Sequence, residues 1–284
     1  MSSPAVTGRI EQLFVYPVKS CAGVELGEVL LTETGFDLDR AWMVVDEQGG
    51  FVTQRELPRM ALIRPQLKVH EVVLRAPGML ALHLQIEAVE GPVEVRIWDD
   101  VVRAYDMGPI AAQWFSDFLG RRLRLVRFDP EQQRLSKRQW TGDVEALNQF
   151  SDGFPLLVLS QASLDGLNAR LLAAGKASVG MERFRPNIVL AGLEAHDEDR
   201  VAMFEVTAGE PARLKPVKPC ARCPIPDIDP TTAESDPAVG AILRSYRSDE
   251  RLKGAISFGM NLVVVQGFDQ FLKVGQAVTA DYAF

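Results

Sequence analysis

The stretch Leu214 to Thr231, reading LKPVKPCARCPIPDIDPT, places the tightest constraint on what this chain can fold into. Proline fixes φ, removes a backbone donor and pushes the preceding residue toward extended conformations. Pro216, Pro219, Pro224 and Pro226 therefore oppose a helix interior or a regular central strand. The expected conformation is an extended, stiffened loop that holds Cys220 and Cys223 in place. Lys215, Lys218 and Arg222 lie close by in sequence, and cationic neighbours favour the thiolate, the form that attacks or binds metal.

Four uses of the two thiols compete. A structural zinc site needs four ligands, and the remaining donors Cys21, His70, His83 and His196 are not paired with one another in sequence. A dithiol redox pair belongs at a strand-to-helix junction, and Pro224, Pro226 and Pro230 oppose a following helix. One thiolate can instead bind a soft metal carried by a cofactor while the other cysteine packs as a small hydrophobe. Finally, both thiols can be buried and inert. The residues by themselves leave all four open.

The totals narrow the setting. A chain of 284 residues, 47% hydrophobic and 24% charged, has room for a sizeable core and for one large or two ordinary domains. Its net charge of -7 excludes a general nucleic-acid binder, which needs a basic surface, but not a local anion site. The start, MSSPAVTGR, lacks the features of an export signal, and no apolar run is long enough for a membrane span. Three cysteines, an odd number, fit a reducing compartment, so the expected location is cytoplasmic.

Along the chain, short apolar runs with Gly or Pro punctuation predict strands at 9–16, 26–32, 66–73, 79–86, 93–97, 101–105 and 121–128, with a hairpin over 41–54. Pro109 to Leu119 reads as a helix with Ile110, Trp114, Phe115 and Phe118 on one face and Gly120 as its stop. The polar, aperiodic segment 129–150 reads as a long connection or lid, and a domain boundary is expected there, dividing 1–128 from 129–284. Beyond it, a buried strand over 155–160 leads into a helix through Ala173, with Ser160 as its simplest N-cap. Strands at 187–190, 201–206 and 213–218, a helix at 237–246 and closing strands over 261–266 and 271–281 complete a β-rich α+β chain.

Four basic residues stand where strands meet turns: Lys19 beside Ser20, Arg40 after Asp39, Arg55 in VTQRELP and Arg185 in FRPN. Loop residues held by strand ends suit anion binding, and arginine adds a planar fork that matches phosphate or carboxylate. For each one alone, a solvated charge or surface ion pair is the simpler explanation.

Six ordered motifs change that balance: YPVKSCAGVEL, GFDLDRAWMVVD with TQRELPRM, SDGFPLLVLSQASLDGLN, MERFRPNIVL, KPCARCPIPDID and FGMNLVVV. Together they resemble the MOSC family, above all its amidoxime-reducing components and their bacterial relatives that reduce N-hydroxylated bases. The resemblance implies an N-terminal β-barrel-like domain followed by a MOSC β-barrel domain with inserted helices. It implies a molybdenum cofactor, a pyranopterin (molybdopterin) whose metal takes one further sulfur ligand from Cys223, with Cys220 and Cys21 not ligands. It places Lys19, Ser20 and Arg40 on the cofactor's anionic and polar groups, Asp152, Arg185 and Asn187 around the pterin, and Arg222 beside the thiolate. It further implies reduction of the N-O bond of small N-hydroxylated substrates. Electrons would come from a separate ferredoxin-, flavodoxin- or cytochrome-type donor protein, because three cysteines are too few for an iron-sulfur cluster in this chain. The Pro-Ile-Pro-Asp after Cys223 departs from the family pattern, where an apolar residue and threonines are commoner, and this bears on substrate preference. The alternative reading is a molybdenum cofactor carrier or sulfur-transfer protein.

Overall fold

The computed structural model describes residues 6–207 and 209–283. Its organising element is a closed sheet of seven strands. Around the ring run Leu156–Ser160, Ile188–Ala191, Val6–Val15, Ala277–Tyr282, Val201–Val206, Ala212–Ala221 and Ala255–Gln266, the last pairing back onto Leu156–Ser160. The interior is filled by Ile10, Leu13, Val158, Leu190, Phe204, Leu214 and Leu262, all essentially inaccessible. Closing a sheet removes its unpaired edges. Closure is tight at Gly259 (φ 84°), where an added Cβ would lie 2.7 Å from the Val158 carbonyl oxygen, a position only glycine fills without strain.

Only one neighbouring pair in the ring is parallel, Leu156–Ser160 with Ile188–Ala191. A parallel pair needs a crossover, and helix Gln161–Ala173 supplies it, starting on the Ser160 side chain, which accepts from the Ser163 amide. The first strand, Val6–Val15, belongs to this ring although most of its partners follow residue 156. The two ends of the chain therefore share backbone hydrogen bonds.

Residues between the first strand and residue 128 build smaller sheets beside the ring. Trp42–Val45, Arg124–Phe128, Asp100–Asp106 and Pro92–Ile97 form one. A second is a meander of Arg64–Leu67, Glu71–Arg75 and Leu82–Gln85. The single strand expected over 66–73 is thus two strands around an exposed turn at Lys68–His70, which carries no apolar residue able to join the core except the exposed Val69. Helix Gly108–Leu119 covers these sheets with Trp114, Phe115 and Phe118 and ends on the left-handed Gly120, a conformation that glycine adopts readily.

The polar stretch 129–150 is tied down rather than loose. Buried Arg134 donates to Asn148 Oδ1 at 2.6 Å, to the Gln149 and Ser151 carbonyls at 2.8 Å each, and to Asp100 at 2.8 Å. A buried guanidinium whose Nε and Nη1 donate to four protein groups makes a small core with no apolar period. Among the described residues, no helix is long and apolar enough to cross a membrane.

The cysteine segment also departs from expectation. Ala212–Ala221 is one strand, so Cys220 sits in its last residues and only Cys223 lies in the loop beyond. The prolines are accommodated by register shifts at Pro216/Lys218 and Pro219/Ala221, because a bulge releases proline from donating to the ladder.

Candidate functional site

At one end of the ring, the loop after the first strand, the Asp39–Arg40 turn, the Phe150–Phe154 segment, the Arg185 turn and the cysteine segment converge on one cleft. Lys19, Ser20, Arg40, Asp152, Arg185, Asn187, Arg222 and Cys223 all line it, as do Arg55, Lys218 and Cys220. Its walls carry six cations, Lys19, Arg40, Arg55, Arg185, Lys218 and Arg222, against the single carboxylate of Asp152. On a chain of net charge -7 this is a focused positive site, suited to an anion.

Three of the lining residues, Ser20 (φ 69°), Arg40 (φ 52°) and Arg185 (φ 57°), hold left-handed backbone without being glycine. Such residues persist where the surrounding structure fixes them, and they cluster at functional sites. Here the fixing is visible. Asp39 is buried; its Oδ1 accepts from the Tyr16 amide at 2.8 Å and from Arg40 Nη1 at 2.7 Å. Arg40 also donates to Asn187 Oδ1 at 3.2 Å and to the Arg185 carbonyl at 3.1 Å. The Asp39–Arg40 pair is therefore an internal brace rather than surface charge balance.

The guanidinium groups of Arg40 and Arg185 each lie 4.3 Å from the centre of the buried Tyr16 ring. Arg185 Nη1 donates to the Cys21 carbonyl at 2.6 Å. Burial, and then the neighbouring Arg40, pull the Arg185 pKa down to about 10. Two desolvated cations held this close are stabilised by any anion bound between them. Burial likewise lowers the pKa of Lys19, opposed by Asp152. Lys19 Nζ donates to the Phe150 carbonyl at 2.8 Å and to Asp152 Oδ1 at 2.5 Å. The Asp152 side chain is largely exposed; desolvation on the side facing the protein raises its pKa, but the Lys19 ammonium outweighs it and holds that carboxyl below the usual range.

Asn187 and Arg222 line the cleft but are occupied by the protein. Asn187 accepts from Arg40 and from the Leu157 amide and donates to the Phe14 carbonyl. Arg222 donates to the Phe258 and Phe184 carbonyls, at 2.8 Å from Nε and Nη1 respectively. Both fix the walls on which other residues stand. By contrast, Arg55 lies 4.8 Å over Trp98, within the electrostatic reach of Asp152, and Lys218 lies 5.2 Å over Trp140.

The thiols differ in setting. Cys21 is buried, and burial pushes its pKa up to about 12. Cys220 is partly exposed and also lines the cleft, and desolvation raises its pKa. Cys223 is partly exposed and lines the cleft from the loop beyond the strand. Among the described residues there is no group of three or more His, Cys, Asp or Glu side chains that could hold a metal ion unaided, so the zinc alternative finds no ligand set here. A cysteine sulfur in a cleft lined by an array of cations suits instead a soft metal brought in by an anionic cofactor.

By sequence Arg55 is a candidate anion contact at a strand end and Lys218 a cation beside the cysteines, and the resemblance assigns neither to the cofactor. Asp39 next to Arg40 reads as local charge balance and Tyr16 as an ordinary strand residue, because their roles rest on contacts between residues far apart in the chain.

The chain matches the MOSC N-terminal beta barrel domain over residues 7–122 and the MOSC domain over residues 146–279. It is 36% identical over 263 residues to mitochondrial amidoxime-reducing component 1 of Mus musculus, covering 88% of this chain and 75% of that protein. It is 34% identical over 252 residues to mitochondrial amidoxime reducing component 2 of Rattus norvegicus, covering 84% and 72%. It is also 29% identical over 272 residues to the molybdenum cofactor sulfurase of Bos taurus, covering 89% of this chain but 30% of that protein.

Proposed function

The chain belongs to the MOSC family, and on that premise we propose that it is a molybdenum-cofactor-dependent oxidoreductase that reduces the N-O bond of small N-hydroxylated compounds. The observation that carries the reading is the conjunction, in one cleft, of six cations with the partly exposed thiol of Cys223. When bound, the cofactor would supply a two-electron store and a Lewis-acidic metal. Cys223 would provide the protein's sulfur ligand. Lys19, Ser20, Arg40, Arg55 and Lys218 would receive the anionic and polar groups, while Asp152 orients the Lys19 ammonium. Arg185 would face the pterin, and Asn187 and Arg222 hold Arg40 and the Phe184 and Phe258 carbonyls in register behind it.

Each turnover consumes two electrons and two protons and releases the reduced nitrogen compound and water. The electrons would come from a separate donor protein. The gap between the two matched stretches supports a domain division near residue 128.

The test is metal analysis joined to turnover, on protein expressed in a host that makes the cofactor. Wild type should hold about one molybdenum per chain and reduce hydroxylamine with an artificial one-electron donor. Cys223→Ser should lose most of both, because a hydroxyl is a poor ligand for a soft metal. Full metal and full activity in that variant would overturn the assignment. The similarity to molybdenum cofactor sulfurase favours one second reading, a carrier that holds the cofactor for delivery. A carrier would retain molybdenum without catalytic turnover.

A further inference from the structure

A second cleft, of about 480 Å³, adjoins the first, and Arg185 and Ile225 line both. Its walls are largely apolar, built from Val24, Ala61, Pro65, Ile225 and Ile228, with Phe14 beside them. Its charges nearly balance. Glu25 and Glu182 stand against Arg64, Arg183 and Arg185, and Arg183 is already engaged by Asp229 at 2.9 Å and the Pro226 carbonyl at 3.2 Å. The first cleft selects for negative charge, whereas this one selects for an uncharged apolar body.

One polar group in it has no explanation in the fold. Gln54 lines the second cleft, is only 4% exposed, and its Nε2 has no hydrogen-bond partner. A buried donor left unpaired is costly. The last torsion of a glutamine side chain is broad, so the amide can turn its N-H or its C=O toward a ligand at little cost. Its neighbours Thr53 and Arg55 line the first cleft; the Thr53 carbonyl accepts from the Glu56 and Leu57 amides, and this tight turn fans its side chains to different sides. The segment Thr53–Arg55 thus serves both clefts at once.

We propose that the second cleft seats the organic body of the substrate, an uncharged N-hydroxylated compound with an apolar group, and that Gln54 is a specificity-determining residue that hydrogen-bonds its polar end. This rests on the reductase reading. It also assigns the departure after Cys223 a role, since Ile225 and Ile228 of that segment form part of the wall.

The experiment compares two substrates on the full-length holoenzyme: hydroxylamine, which has no body to seat, and an aryl amidoxime. Val24→Phe fills the cleft and Gln54→Leu removes its hydrogen-bonding group. In each variant the ratio of kcat/KM for the amidoxime to that for hydroxylamine should fall about tenfold, chiefly through KM for the amidoxime. An unchanged ratio in both variants would overturn the proposal. If wild type reduces neither compound, the reductase reading fails by itself, and titration of the aryl amidoxime, which is uncharged at neutral pH and is then not consumed, into the same full-length protein by calorimetry decides the cleft. Binding that is lost in Val24→Phe supports it, and no binding to wild type overturns it.

Discussion

Arg222 and Arg55 line the same cleft and use their guanidinium groups in opposite ways. Arg222 gives its donors to the Phe184 and Phe258 carbonyls, tying the cysteine segment to the Met181–Phe184 turn and the long strand Ala255–Gln266. Arg55 spends only Nε, at 3.3 Å on Thr53, and otherwise lies against Trp98. The contrast shows that a cation beside a binding site is not thereby a binding group. Between Arg222 and Arg55, the donors already given to carbonyls separate the residue that builds the wall from the one left to meet a ligand.

That distinction can be broken by substitution. Arg222→Met keeps most of the volume and strands buried carbonyls, so it should cost about 3 kcal/mol of stability, seen as a large drop in the denaturant midpoint with or without cofactor. Arg55→Met should change stability by less than about 0.5 kcal/mol but lower the molybdenum retained through gel filtration. Lys218→Met should do the same more weakly, since Lys218 offers a point charge rather than a fork. A reversal, with Arg55→Met unfolding the protein and Arg222→Met leaving it stable, would undo the division.

The smallest effect tests the half-buried His196, whose ring lies 5.9 Å from that of Phe258. Burial first, and then Arg247, Arg170 and Arg200, bring the His196 pKa down to about 4. The unfolded chain takes up this proton near 6.5, whereas the folded chain does not until about 4. The unfolded state therefore binds more protons in that window, and stability falls as pH drops from 6.5 toward 4 and is fully present above it. His196 has left-handed backbone (φ 69°), which asparagine tolerates. His196→Asn should accordingly show a shallower loss of melting temperature between pH 6.5 and 4 than wild type. Parallel curves would mean that another group carries the dependence.

Much of the site was legible because its residues are marked by type. Lysine and arginine at strand ends, and cysteines among prolines, stand out on any reading, and the ordered motifs link them to a family. The helices were legible too, where Trp114, Phe115 and Phe118 recur on one face, although Ile110, expected with them, is exposed, and where Ser160 supplies a cap. Strand ends were less so. Residues 66–73 read as one strand because the apolar pattern continues across a turn that is fixed only by pairing with Leu82–Gln85.

What the sequence by itself determined was the chemistry on offer: a local excess of cations on an acidic chain, a thiol in a stiff segment, and strands enough for a barrel. Tertiary structure alone decided how that chemistry is used. Ring closure brings Val6–Val15 against strands that follow residue 188, and so sets Lys19 beside Asp152 and Arg40 beside Arg185. It also decides which donors are spent on carbonyls, and that Thr53 and Arg55 face one cleft while Gln54 faces another. Residue type is a local property, whereas hydrogen-bond satisfaction and sidedness depend on groups far apart in the chain, which come together only when the sheet closes.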